Sequence, residues 1–337
     1  MVKDFKHIQT AHCENGVITS LLQHKGLDFM TEPLAFGMGA GLFYIHIPYL
    51  KVNGGPMISF RAMPGGIFSR TCKSLNVELT KQKFKDEQKA QNYLDRKIEE
   101  GIPVGCQVGV YNLTYFPKEY RFHFNAHNLI VYGKENNTYL ISDPVMEEVT
   151  TLTANDLNKV RFAKGVLAPK GQLYYPNKIG NVNQATIRKA IVSGINRNII
   201  YMYRAPGPII GATGIKGTAN KIRTWRDKLG PRKAGLYLGQ IVRMQEEIGT
   251  GGGGFRFLYA AFLEQAVGHL QDDRLLPISD QFTKAGDLWR SSAVQMAGIY
   301  KGRLTEQKDY DMVADIMTEI SAIEKNAFKQ LTKLNLK

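Results

Sequence analysis

Apolar and polar positions follow two rhythms along the chain. Up to about residue 175, short apolar runs alternate with turn residues. The runs "LFYIHIPYL", "GPMISFRAM", "PVGCQVGVYNL", "AHNLIVYG" and "NTYLISDP" read as strands bounded by Gly, Pro and Asn. Asn136-Asn137 predicts a hairpin between the last two. Helical patterns lie among them. After Cys13, the residues Val17, Ile18, Leu21 and Leu22 keep 3-4 spacing, and Gly26 suits the C-terminal stop. Residues 86–100 predict a charged surface helix ending at Gly101 and Pro103, and Thr153 suits the N-cap of "ANDLNKVR".

Beyond residue 175 the period changes to helical, with almost no strand signal. Helices are expected near 183–203, 215–229, 235–248, 255–270, 279–300 and 309–334. In the last, Met312, Val313, Ile316, Ile320 and Ile323 are expected along one face, which needs packed neighbours to cover it. The expected organisation is an α+β domain over 1–175 and a mostly helical domain over 176–337. The length agrees, since 337 residues exceed what one core usually serves.

Composition narrows the class further. Hydrophobic residues at 43% and charged residues at 22% are ordinary for a folded protein. No run of about 18 apolar residues predicts a membrane span, and the polar start "MVKDFKHIQTAHCENG" lacks a signal core. A cytoplasmic protein without membrane attachment is expected. Three cysteines, none in C-x-x-C spacing, make neither a disulfide framework nor a metal site, and no cofactor is expected.

The net charge of +14 is uneven. Residues 1–175 hold 20 basic and 16 acidic residues, whereas 176–250 alone hold 13 basic and 3 acidic. Such a sector attracts acidic partners, or is simply a solvated basic face. Nucleic acid is not expected, because the cluster of Arg223, Trp225 and Arg226 stands in no recognised binding module.

Cys13 is the first candidate for chemistry. A helix N-terminus favours a thiolate and offers N–H groups to a developing oxyanion. A lone cysteine also packs well as a small apolar residue. The choice turns on a base and its orienting group. His127 opens "HNLIVYG", and Asp143 ends "TYLISDP". Pairing through Asn136-Asn137 brings both to one end of a hairpin, where the carboxylate orients the imidazole and the imidazole takes the thiol proton. Cys72 and Cys106 read as core.

The order "HCENG", "HNLIVYG", "YLISDP" resembles the papain-like cysteine peptidase superfamily, in particular its double-glycine bacteriocin-processing branch. The resemblance is closer to the butirosin biosynthesis protein H family. "TEPLAFGMGAGLFY" at 31–44 and "GTGGGGFRFLYAAFL" at 249–263 match its further segments, so the likeness spans nearly the whole chain. It implies a papain-like first domain and a helical second one. It also implies acyl transfer in antibiotic biosynthesis: the named member moves an aminoacyl group from a carrier-protein thioester to an amine of an aminoglycoside.

Carried over, Cys13 is the nucleophile, His127 the base and then the acid, and Asp143 its orienter. Papain-like enzymes commonly place an oxyanion glutamine six residues before the cysteine. His7 stands there instead, and Gln9 is four before. The Cys13 N–H is the remaining candidate donor.

Four more residues are candidates for binding substrate. Glu14 either favours a helix N-terminus or meets an amine. Glu32, Gly37 and Gly39 lie in the family-like segment. "GMGAG" is no dinucleotide fingerprint. "GTGGGG" suits a phosphate or a pantetheine arm at the next helix start, or a flexible connector.

The resulting expectation is a cysteine-dependent acyltransferase. Its donor is an acyl thioester, with an acidic acyl carrier protein as partner, and its acceptor a small-molecule amine. A peptidase or amidase on the same scaffold, or a non-catalytic binding protein, fits the same residues.

Overall fold

The structure, a computed structural model, describes residues 1–52, 55–248 and 251–336. The chain forms two compact units. Met1–Ala35 join Ile67–Asn183 in the first, and Phe36–Gly66 join Gln184–Lys337 in the second. The second unit thus begins at 184 rather than 176, and it takes in 36–66, which were expected in the first.

The first unit is built on a six-stranded antiparallel sheet. Its strands are β3 (Val77–Gln82), β4 (Val104–Val108), β5 (His127–Glu135), β6 (Thr138–Ser142), β7 (Thr150–Thr153) and β8 (Leu173–Ile179). Their order across the sheet is β3-β8-β4-β5-β6-β7. The expected hairpin forms, with Glu135 opposite Thr138 and Asn136 at φ 53°, a conformation asparagine tolerates. Helices α1 (Cys13–His24), α4 (Glu87–Glu99) and α5 (Ala154–Arg161) pack on the sheet. Asp86 caps α4 and Thr153 caps α5 through their side chains.

Leu94 and Ile98 of α4, together with Leu157 and Val160 of α5, close a core over Val104, Cys106, Val108, Leu129, Val131 and Ile141. Alternation along β4 and β5 sends these residues to one face and leaves Gly105, Asn128 and Ile130 for the other. Short helices α2 (Glu32–Met38) and α3 (Gly66–Ser74) complete the elements before the sheet. Strands β3, β7 and β8 were not expected. β3 reads "VELTKQ", too polar to signal a strand, and β8 crosses the predicted boundary at 175.

The second unit holds a two-stranded antiparallel sheet, β1 (Leu42–Val52) with β2 (Gly55–Arg61). Its helices are α6 (Gln184–Ile199), α7 (Gly211–Leu229), α8 (Pro231–Val242), α9 (Arg256–Leu270), α10 (Leu276–Tyr300) and α11 (Gln307–Lys333). The face of α11 differs from the expected stripe. Tyr310, Val313, Met317, Ile320, Glu324 and Phe328 are buried, while Met312 is 48% exposed. The stripe runs through Tyr310, Met317 and Phe328 at helical spacing, and Glu324 falls on it because a partner meets it there. Arg256 Nε and Nη2 donate to its two oxygens at 2.8 and 3.0 Å, and both side chains are fully buried.

Candidate active site

Cys13 is the first residue of α1. The preceding His12 caps the helix, its Nδ1 accepting the Asn15 N–H at 3.4 Å. The first N–H groups of a helix lack intrahelical acceptors, so the sulfur sits at a positive end. Glu32 holds the approach to it: Oε2 accepts the Ala11 N–H at 3.0 Å, and Oε1 accepts the His12 N–H at 2.7 Å. Burial pushes the Glu32 carboxyl above its usual range, and those two N–H groups oppose the rise.

Gly16 lets α1 approach the end of the β5–β6 hairpin. A Cβ there would stand 2.5 Å from Pro144 Cβ, closer than carbon atoms allow. The Thr10 N–H donates to Pro144 O at 2.7 Å and ties the strand end to the same segment.

The hairpin delivers its two residues as expected. His127 Nε2 donates to Asp143 Oδ2 at 2.7 Å, and both residues are buried. With Nε2 engaged, Nδ1 is the nitrogen left for sulfur. Burial acts to lower the His127 pKa, but Asp143 and then Cys13, each by charge and hydrogen bond, outweigh it and raise it to about 10. The balance therefore favours the charged ring.

Asp143 is itself fixed. The Tyr115 hydroxyl donates to Oδ2 at 2.7 Å, and the Val145 N–H donates to Oδ1 at 3.2 Å. Burial and the Asp143 carboxylate keep Tyr115 protonated far above its ordinary range. The edge of Phe116 packs on the imidazole with ring centres 5.6 Å apart.

Other candidates are placed elsewhere. His7 bonds the Ser142 hydroxyl through Nδ1 at 2.7 Å and the Met146 carbonyl through Nε2 at 3.1 Å. It thus braces the segment around Asp143 rather than standing in for a glutamine. Glu14 is fully buried and accepts the N–H groups of Ile67 and Phe68 at the start of α3, at 3.1 and 3.4 Å. It serves a helix N-terminus, though not that of its own helix.

Gly37 belongs to the second unit, where its Cα faces the Phe262 ring; a Cβ would lie 2.1 Å from it. Gly39 is buried in the turn after α2. Cys72 and Cys106 are buried core residues, and burial raises the Cys72 thiol to about 12.

Gly249 and Thr250 of the glycine-rich turn lie outside the described residues. In the rest, the Gly253 N–H donates to both Glu246 oxygens at 3.1 and 3.2 Å. A carboxylate therefore occupies the place an anion would take.

Sequence reasoning missed Tyr115, Asn128 and Tyr174. Asn128 Nδ2 donates to Cys13 Sγ at 3.9 Å and to Ala126 O at 3.2 Å, while its Oδ1 accepts the Tyr174 hydroxyl at 2.8 Å. The signal was present in "AHNLIVYG", where an amide interrupts an apolar strand that is buried throughout.

No curated protein matches the chain. Among solved structures, one described as a C39-like peptidase from Bacillus anthracis aligns at 12% identity and a TM-score of 0.37. The alignment covers 52% of this chain and 96% of that one. Residues 12–144 match the family "Butirosin biosynthesis protein H, N-terminal", and 155–331 match "Domain of unknown function (DUF4872)". The second match alone spans more than half the chain. With the N-terminal family domain followed by the DUF4872 domain, the chain belongs to the butirosin biosynthesis protein H-like family.

Proposed function

We propose that this protein is a cysteine-dependent acyltransferase that moves an acyl or aminoacyl group from a thioester donor to an amine acceptor, as in antibiotic biosynthesis. The observation that carries the reading is the buried line of Cys13, His127 and Asp143, closed by the 2.7 Å bond from His127 to Asp143.

A cysteine whose proton can pass to a neighbouring imidazole is an activated nucleophile. Cys13 Sγ attacks the thioester carbonyl and forms a new carbon–sulfur bond. The carbonyl electron pair moves to oxygen, then returns as the donor thiolate leaves with a proton from His127. The amine next attacks the acyl-enzyme, His127 takes its proton, and Cys13 departs as thiolate. Asp143 and Tyr115 keep the ring in one tautomer and orientation throughout. Glu32 and Glu14 are positioning residues in this reading, because backbone N–H groups occupy their carboxylates. Thioester exchange suits a cysteine site, since the attacking and leaving groups are both sulfur.

An acidic acyl carrier protein is the donor that fits the charge distribution. The 176–250 sector carries the excess positive charge. Within it, Arg188, Lys189 and Arg197 of α6 line an open cavity of about 940 Å³ together with Tyr201.

The test is incubation with acyl-N-acetylcysteamine thioesters followed by intact mass. An acyl adduct on wild type, absent in Cys13→Ala and discharged faster by an amine than by water, is the expected result. Discharge by water at the same rate with amines present would make the protein a hydrolase instead. No adduct with any donor would end the acyl-transfer reading.

A further inference from the structure

We propose that Asn128 is a catalytic residue of this site: its Nδ2–H holds the oxyanion that forms when Cys13 attacks a carbonyl. The inference rests on the acyl-transfer reading and adds a side-chain donor to the Cys13 N–H, the one donor the sequence offers.

Cys13 attack develops negative charge on the carbonyl oxygen within a bond's length of the carbon joined to sulfur. A donor for that charge must be near sulfur, must be fixed beforehand and must be dry. His7, at the position where papain-like enzymes commonly carry a glutamine, has both ring nitrogens engaged by Ser142 and Met146. The Ala11 and His12 N–H groups are taken by Glu32.

Asn128 meets all three conditions. Its Nδ2 stands 3.9 Å from Cys13 Sγ, a long contact for a hydrogen bond to sulfur. That spacing leaves room for an oxygen on the carbon bonded to sulfur. The amide is held in one orientation: the Ala126 carbonyl can only accept, so the atom facing it is Nδ2, and the Tyr174 hydroxyl donates to Oδ1 on the other side. Tyr174 is itself pinned, fully buried and stacked on Phe68 with ring centres 4.2 Å apart. Asn128 is 3% exposed, so no water competes freely for the remaining hydrogen.

In the reaction, the Asn128 hydrogen and the Cys13 N–H hold the oxygen while the carbon–sulfur bond to the donor breaks. The same pair holds it again when the amine attacks. No proton moves to or from Asn128.

The experiment compares two reactions of Cys13 on the full chain. Acylation by acetyl- and glycyl-N-acetylcysteamine passes through an oxyanion, and alkylation by iodoacetamide does not. In Asn128→Ala, acylation is expected to slow by roughly 100-fold or more, while alkylation stays within about threefold. Asn128→Leu keeps the volume and adds no charge but removes the donor, and it should show the same split if the alanine variant fails to fold. Tyr174→Phe keeps the stack on Phe68 and frees the amide, so acylation should fall less than in Asn128→Ala.

Equal acylation by wild type and both Asn128 variants would overturn the assignment and leave acyl transfer standing. Parallel loss of acylation and alkylation would also overturn it, because Asn128 would then act on the sulfur or the fold. Absence of any adduct on the wild type itself would remove acyl transfer and this role together.

Discussion

The charge state of His127 is the quantity on which the mechanism turns, and Asp143→Asn perturbs it directly. A rise from 6.5 to about 10 corresponds to about 5 kcal/mol in favour of the imidazolium. Burial works against that rise, so the neighbouring charges supply all of it, and Asp143 is the largest contributor. A counter-charge at hydrogen-bond distance moves a pKa by roughly 1–3 units, so the substitution should lower the midpoint by about 2 units.

The sign for stability follows. A folded value above the unfolded one contributes stability that is complete below about 6.5 and is lost as the pH rises through about 10. Wild type should therefore lose stability across that window relative to Asp143→Asn. Long-range proton–nitrogen NMR of the imidazole reads the midpoint, urea melts at pH 6, 8 and 10 read the linkage, and acylation rates follow in parallel. A neutral His127 at pH 8 in the wild type, or a midpoint moved by less than about half a unit in the variant, would refute the reasoning.

Further substitutions probe the supports. Gly16→Ala drives a methyl group into Pro144 and should cost about 1–3 kcal/mol in denaturant melts, with acylation falling as α1 backs away from the hairpin. Glu32→Gln replaces one of two charge-assisted acceptors with a donor, and acylation should drop about tenfold; an unchanged rate would mean that the Ala11 and His12 backbone is held by other contacts. Glu324→Ala strands the buried Arg256 guanidinium and should destabilise by about 3–5 kcal/mol in urea melts. Charge reversal at Lys189 and Arg197 should raise the Km for an acidic carrier-bound donor while leaving that for a small thioester in place, read by steady-state kinetics.

The site was legible where sequence order maps simply onto space. Cys13 opens a periodic helix, and two strands joined by Asn136-Asn137 must bring His127 and Asp143 to one end. The two glutamates were harder, because only the fold reveals which backbone N–H groups a buried carboxylate meets. Asn128 follows His127 directly and reads as one more strand residue until Tyr174 arrives from β8, 46 positions later. The membership of 36–66 in the second unit was hidden for a related reason. The period of "LFYIHIPYL" announces a strand with a buried face, but not which half of the chain will cover that face. It is covered by α7, with the Tyr44 hydroxyl donating to Thr218 and His46 bonded to the same side chain.

That displaced hairpin sets an order of assembly during synthesis. Residues 36–66 leave the ribosome early, yet the helices they pack with begin at 184 and end near 333. At roughly 5–20 residues per second, the hairpin waits roughly 15–50 s for the last of them. The first unit cannot close continuously either, since Met1–Ala35 must join Ile67–Asn183 around the intervening loop. Cutting the gene at residue 175 would sever β8 and strand the hairpin from its core, so neither half is a usable fragment. A nascent chain of this protein therefore exposes an apolar β-hairpin until the helices of the second unit have emerged behind it.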